Sequence, residues 1–251
     1  MGFSVVIPAR YASTRLPGKP LSMIAGKTLI QRVYECALKS DAEDIVIATD
    51  DARIREVAES FSATVCMTSS NHATGTDRIA DVIRQQDYSD DRIVVNLQGD
   101  EPLMPAAVIN QVANNLAQHE DASAATVSAR IHKVDELFDP HVVKVVSNRD
   151  GYAMYFSRAS IPWDREHFPD VARLPPFSEH YRHIGLYAYR AGFLKRFVSW
   201  PVCQHEKVES LEQLRILWRG EKIHVDVATE VPGPGIDTPE DLDKVRDLFL
   251  T

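Results

Sequence analysis

The sequence predicts an α/β fold: a mostly parallel sheet with helices on both faces. Short apolar, β-branched runs recur at residues 3–7, 45–48, 64–67 and 93–97, without the polar alternation of a half-exposed strand. Stretches with apolar residues at helical spacing separate them, as in parallel-sheet crossovers. The chain has 251 residues, 44% hydrophobic and 25% charged, which is enough to bury a sizeable core.

Taken in order, residues 3–7 (FSVVI) read as a buried strand that stops at Pro8. Residues 9–20 form a loop containing Pro17, Gly18 and Pro20. Thr28 is placed to cap a helix marked by Ile30, Val33, Tyr34 and Ala37. Ile54, Val57, Ala58 and Phe61 mark the helix after the strand at 45–48, and Ile79, Ala80 and Ile83 the one after 64–67. Beyond the strand at 93–97, Pro105 starts a helix carrying Ile109, Val112, Ala113 and Leu116. Further strands are expected at residues 124–131, 142–147, 152–156, 184–189 and 223–227. Residues 161–176, with four prolines, read as a long functional loop or dimer arm. Val208, Leu211, Leu214 and Leu217 predict one apolar helix face. Thr238-Pro239-Glu240-Asp241 has the cap, first-position proline and acids of a helix start, followed by Leu242, Val245 and Phe249.

Composition excludes several classes. With 28 Lys and Arg against 36 Asp and Glu, the net charge of −8 argues against a nucleic-acid binder. The charge is uneven: Arg10, Arg15, Lys19, Lys27 and Arg32 all precede the first carboxylate, Glu35. No apolar run is long enough to cross a bilayer. The N-terminus shows no signal-peptide pattern, and Val6 stands where a myristoylation motif needs Ser or Thr. Cys36, Cys66 and Cys203 fit neither a zinc site nor a disulfide framework, so a reduced, cytoplasmic protein is expected.

In parallel sheets ligands sit outside the carboxyl ends of the strands. The loop 9–20 lies at such an end and holds three cations (Arg10, Arg15, Lys19), two hydroxyls (Ser13, Thr14) and several small residues. A triphosphate needs cations against its charge and small residues that admit backbone N–H groups. A solvated basic loop has similar composition, but the strand-end position favours function. Neither a Walker A motif (position 21 is Leu21) nor a G-x-G-x-x-G follows. In Asn96-Leu97-Gln98-Gly99-Asp100-Glu101-Pro102, Asp100 is placed to hold Mg²⁺ against phosphate oxygens. Glu101 reads equally as helix-start decoration. Asp237 either complements the dipole of the following helix or pairs with Asp100 at a magnesium site. Around Gly75, Thr74 and Thr76 flank a position open to a flat ligand, and Thr76 also fits a helix cap.

These segments, with Tyr155-Phe156-Ser157-Arg158-Ala159-Ser160-Ile161-Pro162-Trp163-Asp164-Arg165, residues 182–192 (RHIGLYAYRAG), 211–215 (LEQLR) and 232–241 (PGPGIDTPED), resemble the 3-deoxy-manno-octulosonate (Kdo) cytidylyltransferases over nearly the whole chain. The resemblance implies a nucleotidyltransferase-type α/β fold with a smaller dimerisation and sugar-binding region. The chain is then one domain, 1–251, with 1–130 mainly binding CTP and about 131–225 contributing to sugar-acid binding and dimerisation. It implies CMP transfer from CTP to Kdo, releasing pyrophosphate, for lipopolysaccharide inner-core synthesis, in a cytoplasmic homodimer using Mg²⁺. Arg10, Ser13, Arg15 and Lys19 are then expected on the triphosphate. Thr74, Gly75 and Arg78 are expected on the cytosine and ribose side, with Gln98 between nucleotide and sugar. Asp100 and Asp237 bind magnesium, and Arg15, Lys19, Asp100 and Asp237 form the catalytic set. For the sugar acid, a carboxylate with many hydroxyls, the candidates are Gln98, Arg158, His183, Tyr187, Glu209 and Gln213. Glu209 and Gln213, four apart, are expected on one helix face, and His183 is equally readable as a structural histidine. No G-x-S-x-G or Cys–His nucleophile pattern is present. The alternatives are the same chemistry on 8-amino-Kdo or a sialic acid, and a non-catalytic nucleotide sensor on the same fold.

Overall fold

The computed structural model of the chain describes residues 2–12, 16–169, 173–174 and 179–250. The strands are β1 (Phe3–Ala9), β2 (Met23–Ile24), β3 (Lys27–Thr28), β4 (Asp44–Thr49), β5 (Thr64–Met67), β6 (Ile93–Asn96), β7 (Ala124–Arg130), β8 (Lys144–Ser147), β9 (Ala153–Ser157), β10 (Tyr181–Arg190) and β11 (Ile223–Val227). The helices are α1 (Leu29–Ala37), α2 (Ala52–Ser60), α3 (Gly75–Gln85), α4 (Ala106–Gln118), α5 (Val134–Phe138), α6 (Ala191–Phe197), α7 (Gln204–Glu209), α8 (Leu214–Trp218) and α9 (Pro239–Leu248). A short 3₁₀ turn, Lys19–Leu21, follows the basic loop.

The main sheet runs β11-β7-β10-β6-β1-β4-β5, with β8 and β9 attached along β10. Its parallel pairs are β1 with β4 and β6, β4 with β5, and β7 with β11. β10 is inserted antiparallel between β6 and β7, and β8 pairs antiparallel with β10 and β9. A parallel sheet with helices on both faces was the expectation, and the mostly parallel sheet agrees with it. At ten residues β10 is longer than its apolar run, because its start at Tyr181–His183 pairs with β7 and, through Tyr181 and Arg182, with β8.

One face of the sheet packs α1, α2, α4 and α9 through Ile30, Val33, Ile54, Ile109, Val112 and Val245. The opposite face packs α3, α6 and α8 through Ile79, Ile83, Phe193, Phe197 and Leu214. The caps follow from side-chain chemistry. The Thr28 hydroxyl accepts from Gln31 N at the start of α1, and the Asp51 carboxylate from Arg53 N at the start of α2. Thr238 and Asp241 form a reciprocal capping box on α9 behind Pro239. The box on α3 is formed by Thr74 with Asp77, so the cap is Thr74 rather than Thr76. Thr76 is the second residue of the helix, and its hydroxyl donates to Glu212.

The single helix expected around 208–217 is broken. α7 ends at Glu209, Ser210 turns left-handed at φ 54°, and α8 begins at Leu214. The Glu209 carboxylate is taken by the end of β9, accepting from Ser157 Oγ (2.6 Å) and Arg158 N (2.9 Å). Val208 is consequently exposed, while Leu211, Leu214 and Ile216 reach the core. Glu209 and Gln213 therefore do not share a helix face. Of the proline-rich segment, residues 170–172 and 175–176 lie outside the described set. Its Phe168 packs with Ile131 and Leu137 in a small separate cluster.

α8 is anchored by a buried ion pair. Arg215 donates to both Glu206 oxygens, at 2.8 and 2.7 Å, and lies over the Phe197 ring at 4.4 Å. Removing one partner of such a pair strands a buried charge, a loss of about 3–5 kcal/mol. Arg215→Ala is expected to lower the urea midpoint accordingly, whereas replacing Glu206 and Arg215 together by apolar residues of similar volume recovers much of the loss.

Candidate active site

The site lies at the carboxyl ends of β1 and β6, where two loops are forced together. A Cβ on Gly99 would come within 2.7 Å of Pro8 O, so only glycine lets the Gln98–Asp100 turn lie against β1. The basic loop leaves β1, folds back so that Gly18 N donates to Tyr11 O (3.1 Å), and turns at Gly18 with φ 70°. Lys19 emerges from that turn. Asp237 arrives from the C-terminal side, held by Ile236 N donating to Asp100 O at 2.9 Å.

These approaches meet at one ammonium. Lys19 Nζ donates to Asp100 Oδ2 (2.6 Å), to Ile236 O (2.6 Å) and to Asp237 Oδ1 (3.2 Å). The cluster borders a cavity of about 280 Å³ that Arg10, Thr74, Gly75, Arg78 and Gln98 also line. Arg10 is exposed at its mouth. Ser13 and Arg15 lie outside the described residues. The structure thus brings Arg10, Lys19, Thr74, Gly75, Arg78, Gln98, Asp100 and Asp237 around one cavity. Within it, Arg78 is buried and committed: it donates to Asp50 Oδ2 (2.9 Å) and to the Thr68 hydroxyl. Arg78 thereby ties the first turn of α3 to the ends of β4 and β5.

Two aspartates whose carboxylate oxygens lie within hydrogen-bond reach of one cation offer the hard oxygen donors that Mg²⁺ prefers. Among the described residues no group of three His, Cys, Asp or Glu is arranged for a metal. A divalent ion here would thus draw its remaining ligands from phosphate and water, as Mg²⁺ does at nucleotide sites. Glu101 is drawn into the same electrostatics. Burial, reinforced by the Asp100 and Asp237 carboxylates and opposed by Lys19 and Arg182, pushes its pKa up to about 8. Helix-start decoration does not describe this residue.

The sugar-acid candidates divide. His183 and Tyr187 lie on β10 with their rings 5.2 Å apart. His183 Nε2 faces the Thr126 hydroxyl at 3.0 Å, and loss of water around the ring pushes its pKa down to about 3. Burial raises the Tyr187 hydroxyl well above its usual value. Gln213 is buried just before α8. Arg158 and Glu209 are engaged with each other: Arg158 Nε donates to Glu209 O (2.7 Å), and Arg158 NH1 to Pro140 O (2.9 Å). Behind them the fully buried Lys144 ammonium donates to Asp139 O, Val142 O and Arg158 O.

Two residues at the site escaped sequence reasoning. His72 lines the cavity, with Nε2 2.8 Å from Asp81 Oδ2. Glu212 accepts from Thr76 at the start of α3, and burial raises its pKa against the pull of the Thr76 hydroxyl and Arg215. The break at Ser210 rotates the chain so that Glu212, not Glu209, faces α3. A left-handed serine leaves no sequence signal, so helical spacing alone did not bring Glu212 to α3.

The His183 shift has a defined sign. The unfolded ring titrates near 6.5, whereas the folded ring stays neutral to about 3. Its contribution to stability is complete above about 6.5 and is lost as pH falls toward 3. Urea midpoints across this range are expected to fall less steeply for His183→Gln than for the unsubstituted chain. Equal slopes would remove His183 as an acid-labile group.

A family profile described as Cytidylyltransferase matches residues 4–223. The 3-deoxy-manno-octulosonate cytidylyltransferase of Coxiella burnetii (strain RSA 493 / Nine Mile phase I) is 56% identical over 249 residues, covering 99% of this chain and 100% of that protein. The protein of the same name from Vibrio vulnificus (strain CMCP6) is 56% identical over 251 residues, covering 99% and 98%. A solved structure of CMP:2-keto-3-deoxy-manno-octonic acid synthetase complexed with CTP superimposes with a TM-score of 0.90 at 38% identity, covering 100% of this chain and 99% of that one. With its mostly parallel sheet and the nucleotide-type cavity at its strand ends, the chain belongs to the 3-deoxy-manno-octulosonate cytidylyltransferase family.

Proposed function

We propose that the protein transfers CMP from CTP to Kdo and releases pyrophosphate. The observation that supports this most directly is the convergence of Lys19, Asp100 and Asp237 beside a cavity lined by Arg10, Thr74, Gly75 and Gln98. Relatives named for this activity, and a neighbour solved with CTP, support the choice of nucleotide and acceptor. The same proposal includes Mg²⁺, a cytoplasmic location, a homodimer, and a division in which residues 1–130 mainly bind CTP and about 131–225 serve the sugar acid.

In the proposed reaction the 2-hydroxyl oxygen of Kdo attacks the α-phosphorus of CTP, in line with the departing pyrophosphate. A P–O bond forms to the sugar, the bond to pyrophosphate breaks, and the hydroxyl proton passes to solvent. Catalysis is positioning and charge stabilisation. The base end of the cavity is formed by Thr74, Gly75 and the loop before α3. Gln98 stands between that end and the acceptor side, and Arg10 meets the triphosphate at the mouth. Lys19, with Arg15, stabilises the negative charge gathering on pyrophosphate. Asp100 and Asp237 would hold Mg²⁺, which when bound would neutralise charge at the phosphates and lower the pKa of the attacking hydroxyl. The sugar acid is held by Gln98, Arg158, His183, Tyr187, Glu209 and Gln213; for Arg158 and Glu209 this requires release from their mutual contacts.

The test is pyrophosphate release from CTP with a panel of Kdo, 8-amino-Kdo and sialic acid, with ATP, GTP and UTP as controls. Turnover confined to CTP and Kdo is the expected outcome, and CTP binding without turnover on any acceptor would mark a nucleotide sensor. Asp100→Asn is expected to abolish most turnover while leaving the thermal midpoint near that of the parent. Lys19→Ala is expected to slow turnover about 10²- to 10³-fold, the loss typical of deleting one charge-stabilising donor. Near-normal pyrophosphate release by Asp100→Asn at saturating substrates and Mg²⁺ would overturn the assignment.

A further inference from the structure

Beneath the proposed acceptor site, the ligand-free sheet leaves two polar atoms unpaired on neighbouring strands. Asn96 ends β6, Tyr187 lies in β10, and the two are direct cross-strand partners in the antiparallel ladder. Their side chains therefore leave the same face of the sheet. Both residues are more than nine-tenths buried, at 2% and 6% exposure. Neither Asn96 Oδ1 nor the Tyr187 hydroxyl has a hydrogen-bond partner. The Thr126 hydroxyl on adjacent β7 is turned to Ile184 O, Leu186 O and His183 Nε2. Thr126 is near enough to oppose slightly the burial that raises the Tyr187 hydroxyl, but with its own oxygen engaged elsewhere it closes no hydrogen bond to that hydroxyl. Orphaned buried polar atoms are rare because each forgoes its hydration without return, so two on adjacent positions point to a missing partner.

The chemistry of the pair restricts that partner. An amide oxygen only accepts, whereas a phenolic hydroxyl can donate. A group that satisfies both must donate to Asn96 and accept from Tyr187. A hydroxyl does this. A carboxylate or phosphate oxygen brings no proton for Asn96, and an ammonium accepts nothing from Tyr187. The position also fits the reaction. Asn96 is two residues before Gln98, which lines the nucleotide cavity, and the Tyr187 ring contacts His183.

We infer that Asn96 Oδ1 and Tyr187 Oη form a two-sided hydroxyl-binding position in the acceptor subsite, one that reads a non-reacting hydroxyl of the sugar acid rather than its carboxylate. This rests on the proposed function, and it gives Asn96 a role in substrate binding. It also explains why a polar residue ends an otherwise apolar buried strand, Ile93-Val94-Val95-Asn96.

Kinetics with CTP and Kdo test the inference. Absent turnover by the unsubstituted enzyme would be failure of the parent reading, whereas normal turnover allows this inference to be tested alone. Asn96→Leu and Tyr187→Phe are each expected to raise KM for Kdo about tenfold, the loss of one hydrogen bond, with KM for CTP unchanged. The thermal midpoint of ligand-free Asn96→Leu is expected to hold or rise, because the orphaned acceptor is gone. Among the 4-, 5-, 7- and 8-deoxy analogues of Kdo, one is expected to bind the unsubstituted enzyme about tenfold more weakly, yet lose nothing further on Asn96→Leu. Should Asn96→Leu fail to fold, Tyr187→Phe, which deletes one oxygen and keeps the ring, takes its place in that cycle. Unchanged KM for Kdo in the variants overturns the inference, and so does a deoxy series whose losses add in full to that of the variant. A lowered midpoint with unchanged KM also overturns it, since that pattern belongs to a buried structural water.

Discussion

The site depends on one charge. Two carboxylates at the strand ends, with Glu101 buried beside them, repel one another, and the Lys19 ammonium is what lets Asp100 and Asp237 share a corner without a bound ligand. The Lys19 side chain is only 13% exposed, so its attraction is less screened than that of a surface pair. Its third contact, with Ile236 O, fixes the segment that leads into α9. One side chain therefore joins the basic loop, the end of β6 and the C-terminal helix. Gly99 is the steric counterpart. Without a Cβ it allows β1 and the Gln98–Asp100 turn to touch, which aims the acid at the lysine.

Most of this was legible in the sequence, for identifiable reasons. Buried parallel strands are continuous apolar runs, and those at Phe3–Ala9, Asp44–Thr49 and Ile93–Asn96 stand out. The strand-end rule then isolates the loops holding Arg10, Lys19, Thr74, Gln98 and Asp100, which the fold gathers at one cavity. Asp237 was ambiguous between complementing the α9 dipole and binding a metal, and the geometry allows both: it precedes the Thr238 cap of α9 and it meets Lys19.

What was not legible depended on backbone turns and on long-range pairing. Helical spacing suited Val208 through Leu217, but the left-handed Ser210 breaks the helix, separates Glu209 from Gln213 and brings Glu212 to Thr76 of α3. Thr76 looked like a cap, yet the Thr74–Asp77 box is the better match of hydroxyl to orphan N–H, and it frees Thr76 for Glu212. His72 gave no periodic signal, because its place at the cavity comes from a loop contact with Asp81. Asn96 read as the polar end of a strand, and only the cross-strand register with Tyr187 shows that its oxygen is orphaned.

The strand order also bears on how the chain comes to exist. β7 has two neighbours in the sheet, β10 and β11, and both lie later in the sequence. β6 likewise has one edge that is covered only when β10 arrives. During synthesis the N-terminal half can pair β1, β4, β5 and β6, but β7 has no strand to join until residue 181 and beyond have been made. Until then an apolar strand and an open sheet edge are both available to other chains. Cutting the protein after residue 130 would leave those surfaces permanently uncovered, so residues 1–130 are not a self-sufficient folding unit.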